Sequence, residues 1–333
     1  MTLFINEKHV AQLIDEGHAT MGDFVAAIEG AFIDQGNGDF DILPRQNFEV
    51  PIPGRAKGGS LKIGGAALKG VGAMGASLYS GGYGGMNLWI TLYDTTTGKV
   101  PAILHGSCIG QMKTGSTSAM AANHMARKDA TRVGILGSGD QARTQLMGLC
   151  AIRDITTVRA YSTTRENLES YIAWAKGAFP DLDIEAADTA EDAIRDADIF
   201  VTITNAADPI MKADWIKPGA HGSIVGAHYP KKREIDAATL NNARVIVDDL
   251  EQAFNEKGEL LIPLESGEIT RDIVQGTIGD VLVGKIKGRE SEDQITLFLS
   301  GGTALEYIAV ANRLHKKAVK AGIGQVLDYE ENR

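Results

Sequence analysis

Thr131-Arg-Val-Gly-Ile-Leu-Gly-Ser-Gly-Asp-Gln-Ala142 is the stretch that decides the fold. Arg132–Leu136 is short, apolar and β-branched, as in a buried strand. Gly137-Ser138-Gly139 then forces a tight turn. Beyond Asp140, Leu146 and Leu149 lie three apart, on one helix face. Strand, glycine turn and helix together give the G-x-G-x-x-G/A pattern its physical context. Gly137 permits the turn, and Gly139 lets backbone N–H groups approach a pyrophosphate. Ala142 is small enough for helix and strand to pack closely. The helix N-terminus adds partial positive charge. The stretch therefore predicts a dinucleotide-binding turn.

Strand and helix patterns alternate after it. Thr157–Tyr161, Ile199–Ile203, Gly222–Val225 and Ala243–Val247 read as strands. Glu166–Phe179, Ala190–Ala197 and Leu250–Lys257 read as helices. Such βαβ alternation predicts an α/β fold, a Rossmann-type doubly wound parallel sheet. Ile295–Leu314 reads as one long helix interrupted by Gly301-Gly302, and Lys316–Arg333 as a polar tail covering the first domain.

The residues before the turn read as a smaller mixed α/β domain. Thr20-Met-Gly-Asp starts a helix with Phe24, Ile28, Ala31 and Phe32 on its apolar face. Leu43–Asn47 breaks that pattern, and Phe48–Pro53 is extended, an edge strand or a loop. Gly58–Gly85 is glycine-rich yet carries regularly placed apolar residues, so short strands with bends fit better than a linker. Asn87–Tyr93 and Val100–Leu104 form strands around a Thr95–Lys99 turn. Ser107–Gly115 reads as a loop, and Ser116–Arg127 as a closely packed helix.

Composition narrows the function. The chain has 333 residues, 44% of them hydrophobic and 23% charged, with net charge −10. That balance suits a soluble globular protein and argues against nucleic acid or anionic membrane as partner. No apolar run reaches the length of a membrane span. The opening residues lack the basic and apolar regions of a signal peptide. Cys108 and Cys150 are too few for a disulfide scaffold, which predicts a reducing, cytoplasmic setting. No His, Cys or carboxylate spacing suggests a metal site.

With these pieces placed, the chain resembles the ornithine cyclodeaminase/mu-crystallin family. The resemblance is carried by Leu43-Pro44-Arg45, Tyr93-Asp94-(x)3-Gly98-Lys-Val-Pro101-Ala102 and Lys113-Thr114-Gly-Ser-Thr-Ser118-Ala119. It continues through Gly137–Ala142, Lys217-Pro218-Gly219-Ala-His221, Val225-Gly226-Ala227, Gly258-Glu259 and Thr296–Gly302. It implies a homodimer. A discontinuous substrate-binding and dimerisation domain would span residues 1–125 plus 305–333, and a dinucleotide-binding domain 126–304. It also implies NADP(H) or NAD(H) as cofactor and a small imino or amino acid as substrate. The activity expected is NAD(P)H-dependent imine reduction or amino acid dehydrogenation. Ornithine cyclodeamination and mu-crystallin-like ligand binding are the alternatives within the family.

Position by position, the resemblance assigns Arg45 and Lys113 to the substrate carboxylate. Guanidinium suits a planar anion, whereas lysine keeps the charge without the fork. Ser77 stands where relatives often carry a catalytic lysine; Lys57, Lys62 and Lys69 lie nearby in sequence without matching that position. His228 stands where cyclodeaminases carry an aspartate, and is either a general acid or a solvated loop residue. The cofactor would lie against Thr114, Gly137, Ser138, Gly139, Gln141, Ala142, Ser162, Thr163, Arg165, Thr204, Gly226, Ser300 and Gly301. Hydroxyls and Arg165 replace the acidic residue of NAD-specific sites, so NADP(H) should be accepted and preferred. Cationic residues around the pocket hint at a second substrate carboxylate. His105 could face the site, while His9, His18, His124, His221 and His315 read as surface or structural. Ser116, Thr117 and Ser118 belong to no Ser/His/Asp arrangement and read as helix packing.

Overall fold

The computed structural model describes residues 1–54, 58–83 and 85–328. The chain divides into two compact units. A terminal unit comprises Met1–Lys113 and Thr303–Arg333, and a central unit comprises Thr114–Gly302. The boundaries fall at Lys113/Thr114 and Gly302/Thr303, earlier in sequence than the expected 125/126 and 304/305.

In chain order the elements begin with β1 (Thr2–Ile5), α1 (Glu7–Asp15), α2 (Met21–Asn37), β2 (Phe40–Val50), β3 (Gly59–Leu68), β4 (Ala73–Gly81), β5 (Asn87–Tyr93), β6 (Ala102–His105) and α3 (Ser107–Met125). The central unit continues with β7 (Arg132–Leu136), α4 (Asp140–Ile152), β8 (Thr157–Tyr161), α5 (Arg165–Ala178), β9 (Asp183–Ala186), α6 (Ala190–Ile194), β10 (Ile199–Thr202) and β11 (His221–Ile224). Then come α7 (Ala237–Asn241), β12 (Ala243–Val247), α8 (Leu250–Glu256), α9 (Gly258–Glu265), β13 (Val274–Thr277), α10 (Ile278–Leu282) and β14 (Ile295–Leu299). The chain returns to the terminal unit as α11 (Ala304–Ala321) and β15 (Gln325–Leu327).

In the central unit the strands run in the order β13-β12-β14-β11-β10-β7-β8-β9, every pair parallel. Val133, Ile135, Ile199 and Val201 pack in one apolar cluster, and Leu136, Phe200, Val245 and Leu297 in another. Successive strand residues thus enter separate cores, as a sheet covered on both faces requires. The chain turns from one side of β7 to the other between β9 and β10, which puts the glycine turn at the topological switch point.

The terminal unit holds a mixed sheet in the order β15-β1-β6-β5-β4-β3-β2. Thr20 caps α2 reciprocally with Asp23, and Gly38 ends it in the left-handed conformation at φ 76°. Phe48–Val50 belongs to the edge strand β2. Leu43 pairs with Gly65 and Gln46 with Ile63, so Pro44 and Arg45 bulge together opposite Gly64. Proline has no N–H for the ladder, and a bulge accommodates that loss.

Two expectations are corrected. Ser107–Gly115 is helical, the first half of α3, not a loop. Gly115 is there for close approach: a Cβ on it would sit 2.1 Å from the Thr144 carbonyl oxygen. Ile295–Leu314 is not one helix. Its first residues form β14, buried between β11 and β12, and α11 starts only after Gly301-Gly302. A short apolar run has no period that separates strand from helix.

His221 is fully buried, with Nδ1 2.9 Å from Thr296 Oγ1. That hydroxyl donates to the Met125 carbonyl, so Nδ1 carries the proton that bridges to it. Burial, reinforced by the Arg289 and Arg153 charges, pushes the imidazole down to about 3. The folded state keeps it neutral, whereas the unfolded chain takes up a proton near pH 6.5. Its stabilisation is complete above that pH and is lost as pH falls towards the folded value. Acidification from pH 8 to 5 should cost about 2 kcal/mol through this residue. Urea unfolding of the wild type and His221→Asn should differ in pH slope by that amount; parallel slopes would reject the assignment.

Candidate functional site

In the central unit, the glycine turn leaves the carboxyl end of β7. Gly137 has φ 116°, and a Cβ there would lie 2.4 Å from the Ile203 carbonyl oxygen. Only glycine fits that position. Gly139 caps α4 without a side-chain hydrogen bond, and a Cβ on it would meet nothing within 4 Å. The helix N-terminus therefore faces open space with its first N–H groups not capped by a side chain, a ready anion site. Ser138 and Gln141 are half-buried beside it, and Gln141 Oε1 is buried with no hydrogen-bond partner. Ala142 is fully buried in the β7–α4 core. These features fit the pyrophosphate of a dinucleotide.

The strand order β14-β11-β10-β7 sets four loops side by side at the carboxyl edge. Their positions are fixed by buried charges that the sequence reading missed. Glu234, fully buried, accepts hydrogen bonds from Thr204 N and Oγ1, both 2.7 Å, from Gly226 N at 2.7 Å and from Thr202 Oγ1 at 2.8 Å. Gly226 must be glycine, because a Cβ would lie 2.4 Å from Thr204 O and 2.5 Å from Glu234 Oε1. Asp248 accepts from Gly301 N and Gly302 N, both 2.7 Å, and from Ser300 Oγ at 3.3 Å. Lys257 Nζ donates to Ala227 O at 2.7 Å and Ser300 O at 3.0 Å. Beside it, burial pushes the Glu259 carboxyl up, against the pull of the Lys257 charge.

Thr204, Gly226, Ser300 and Gly301 thus lie on adjoining loops with the glycine turn. Ser162, Thr163 and Arg165 follow β8, the next strand. Arg165 is exposed and pairs with Glu169 at 2.8 Å, one turn along α5. Thr114 is half-buried on α3. His228 is half-buried directly after Ala227 and lies against Tyr229, the rings tilted by 37° with centroids 4.7 Å apart.

Arg45, Ser77 and Lys113 belong to the terminal unit. Register pairs Ser77 with Gly64 and Tyr79 with Lys62, so these four share one face of the sheet. From the β2 bulge, Arg45 Nη1 donates to Tyr79 Oη at 3.1 Å. The Tyr79 and Tyr307 rings lie 6.0 Å apart, and Lys113 Nζ sits 5.0 Å from the Tyr307 centroid. Lys113 also pairs with Glu306 Oε2 at 3.0 Å, both side chains almost wholly buried. Glu306 accepts from Thr303 N and Oγ1, closing the first turn of α11. Ser77 is buried, with Oγ 3.5 Å from Gly64 O.

His105 does not join this face. It pairs with Trp89, whose partner Leu78 points opposite to Ser77 and Tyr79. Its ring lies 4.4 Å from Trp89, and Nε2 is 2.9 Å from Asn87 Oδ1. Lys57 lies outside the described residues. Glu306 had a readable signal, the Thr303-x-x-Glu306 capping box, hidden inside what reads as the middle of a helix.

The chain belongs to the ornithine cyclodeaminase/mu-crystallin family. A profile of the ornithine cyclodeaminase/mu-crystallin family matches residues 7–322. Alanine dehydrogenase of Archaeoglobus fulgidus is 31% identical over 329 residues, 98% of either chain. The structure of Thermococcus litoralis Δ1-pyrroline-2-carboxylate reductase with NADH and L-proline superposes with a TM-score of 0.89 at 28% identity, covering 98% of this chain and 100% of that one. An archaeal alanine dehydrogenase dimer with bound NAD gives 0.88 at 28% identity, covering 99% of each.

Lys113→Ala would take the Lys113 ammonium away from the buried Glu306 carboxylate. Losing one partner of such a pair costs about 3–5 kcal/mol, so denaturant unfolding should show a loss of that size. Lys113→Met with Glu306→Gln should recover most of the stability. An undiminished unfolding midpoint in Lys113→Ala would show the pair to be energetically idle.

Proposed function

Because this chain belongs to the ornithine cyclodeaminase/mu-crystallin family, we propose that it is an NAD(P)-dependent oxidoreductase that reduces an imino acid to a small L-amino acid, or runs the reverse. The observation that carries this reading is the cationic, tyrosine-lined sheet face of the terminal unit, present in a chain whose central unit holds a dinucleotide-type glycine turn. The relatives named above, an alanine dehydrogenase and a pyrroline-2-carboxylate reductase, act on substrates of this class.

The nicotinamide, when bound, supplies the electron pair that a C=N carbon accepts. The chain's own residues do the rest. Arg45 grips the α-carboxylate through two N–H groups, and the Tyr79 hydroxyl holds the guanidinium in place. Lys113 adds positive charge above Tyr307 while Glu306 fixes its position. Ser77 lies on the same face, small enough to leave substrate room. His228 delivers the proton to nitrogen, a task suited to imidazole near neutral pH. Glu234, Asp248 and Lys257 hold the loops that would receive the cofactor, so these need no rearrangement to bind. The gathering of Arg45, Lys62 and Lys113 around Tyr79 and Tyr307 supports extending this reading to a dicarboxylic substrate, as in iminosuccinate going to L-aspartate.

The opposite face of the terminal sheet carries exposed Phe48, Leu61, Leu78 and Trp89. An apolar patch of this kind marks an interaction surface, and we assign it to a homodimer. We assign the chain to the cytoplasm, a reading supported by the two free cysteines Cys108 and Cys150, which stay reduced there. Among the described residues no helix is long and apolar enough to cross a membrane.

Steady-state assays with 2-oxo acids plus ammonia should show reductive amino acid formation. NADPH should give the higher kcat/KM, since Arg165 can turn from its exposed partner Glu169 to a 2′-phosphate; a strong NADH preference would remove Arg165 from that role. Lys113→Ala should lower kcat/KM roughly 10- to 150-fold, the range expected from a charged hydrogen bond of ~1.5–3 kcal/mol. Ornithine with oxidised cofactor should yield no proline, because a protonated His228 repels the distal ammonium; efficient proline formation would sink the reaction class. His228→Ala should slow imine reduction while cofactor affinity stays near wild type. Light scattering should read a dimer that Leu61→Asp splits.

A further inference from the structure

One tyrosine of the terminal unit has a polar end that the chemistry above leaves without a task. Ala304, Tyr307, Ile308 and Ala311 recur at the spacing of one α11 face. That face lies against glycine positions of the sheet. A Cβ on Gly64 would lie 3.2 Å from the Ala304 Cβ, and one on Gly75 3.1 Å from Ile308 Cδ1. Packing of this kind asks for small and apolar side chains, and phenylalanine would meet it at position 307. Tyr307 is only 9% exposed, yet its hydroxyl has no hydrogen-bond partner among the described residues. A buried tyrosine ordinarily finds one. Tyr171 of the central unit also lacks a partner, but its hydroxyl is sealed inside the protein, whereas that of Tyr307 is not sealed.

The Tyr307 ring is held from two sides. Tyr79 lies 6.0 Å away, tilted by 50°, and Lys113 Nζ stands 5.0 Å from the centroid. At the hydroxyl end stand Gly110 and Met86: a Cβ on Gly110 would come to 3.5 Å from the oxygen and 2.5 Å from Met86 Cε. Their side chains bring no strong acceptor, so the hydroxyl is left for a group the chain does not supply. Burial first, then Tyr79 and Glu306, push the phenol up, against the pull of the Arg45 charge. Tyr307 therefore keeps its proton and acts as a neutral donor. Arg45 and Lys113, the residues assigned to the substrate carboxylate, flank the same pair of rings.

We propose that Tyr307 is a further substrate-binding residue, its hydroxyl donating a hydrogen bond to the α-carboxylate of the imino acid beside Lys113. This rests on the imine-reductase reading of the site. A cation attracts a carboxylate from many directions, whereas a hydroxyl on a fixed ring selects one oxygen and so sets the orientation of the substrate. Phenylalanine at position 307 keeps the ring under Lys113 and removes only the donor.

The test compares wild type, Tyr307→Phe and Tyr171→Phe as full-length proteins. Reduction is measured on the imines that ammonia forms with pyruvate and with oxaloacetate, and calorimetry measures binding of L-alanine and L-aspartate to the cofactor-loaded protein. In Tyr307→Phe the KM for both imines should rise roughly 10- to 100-fold, and both amino acids should bind more weakly by a similar factor. NADPH affinity and the denaturant midpoint should stay at wild-type values, because the ring and its contacts remain. The deficit should be constant from about pH 6 to 9, as expected of a group that keeps its proton. Tyr171→Phe, which loses a sealed hydroxyl, should match wild type in KM and amino acid affinity. An unchanged KM with unchanged amino acid affinity overturns the proposal, as does a matching loss of NADPH affinity or stability, or a deficit that varies with pH. If the wild type reduces neither imine, the reductase reading fails, and the amino acid affinities of wild type and Tyr307→Phe still decide the role of Tyr307; no binding of either amino acid to the wild type overturns that role as well.

Discussion

The cofactor edge of the central unit depends on one carboxylate withdrawn from water. Glu234 receives four hydrogen bonds from two loops, three of them involving residues 202 and 204 and one from Gly226. Taking a carboxylate out of water costs several kcal/mol, and only good geometry with every lone pair engaged offsets it. The loops after β10 and β11 therefore have one arrangement that satisfies Glu234. Asp248 does the same for Ser300–Gly302, and Lys257 joins Ala227 to Ser300 from the donor side. Three buried charges thus fix loop backbone that has no regular ladder of its own. Preorganisation of this kind lowers the ordering cost of binding.

The terminal unit solves a different problem, holding like charges close together on one sheet face. Aromatic rings separate them. Tyr307 lies beneath Lys113, Tyr79 beneath Lys62, and the two rings touch each other. Glu306 sits in the first turn of α11, where the helix end favours negative charge. The helix terminus thus stabilises the carboxylate that positions Lys113.

How much of this was legible depended on whether a feature has a period. Arg132–Leu136 and the glycines after it were readable because strand, turn and helix follow in a fixed spacing. Most strands of the parallel sheet were readable from their apolar runs. β14 was not, because Ile295–Leu299 is too short to show whether it repeats at 2 or 3.6 residues. The start of α3 was masked by Gly110 and Gly115, whose small size serves close packing and mimics a loop in sequence. Arg45 was visible only through resemblance, since the bulge that aims it depends on the partner strand. Glu234, Asp248 and Lys257 are single charged residues without spacing, and their role arises only when parallel strands bring distant loops together. Lys62 and Tyr79 are seventeen positions apart in number, and only the β3–β4 register makes them neighbours.

The path of the chain through its two units bears on how it is made. Translation delivers β1 to β6 first, but α11 and β15, which complete that same sheet and its covering, are near the end of the chain. The whole parallel sheet is synthesised in between and holds all of its own strands. On the ribosome it can close as a unit while the inner face of the earlier sheet waits for α11. Newly made chains therefore pass through a stage in which Leu88, Ile90 and Leu92 lack the helix that later shields them, and Glu306 has yet to meet Lys113. A stop codon before residue 303 would leave the complete parallel sheet attached to a terminal sheet without α11 and β15.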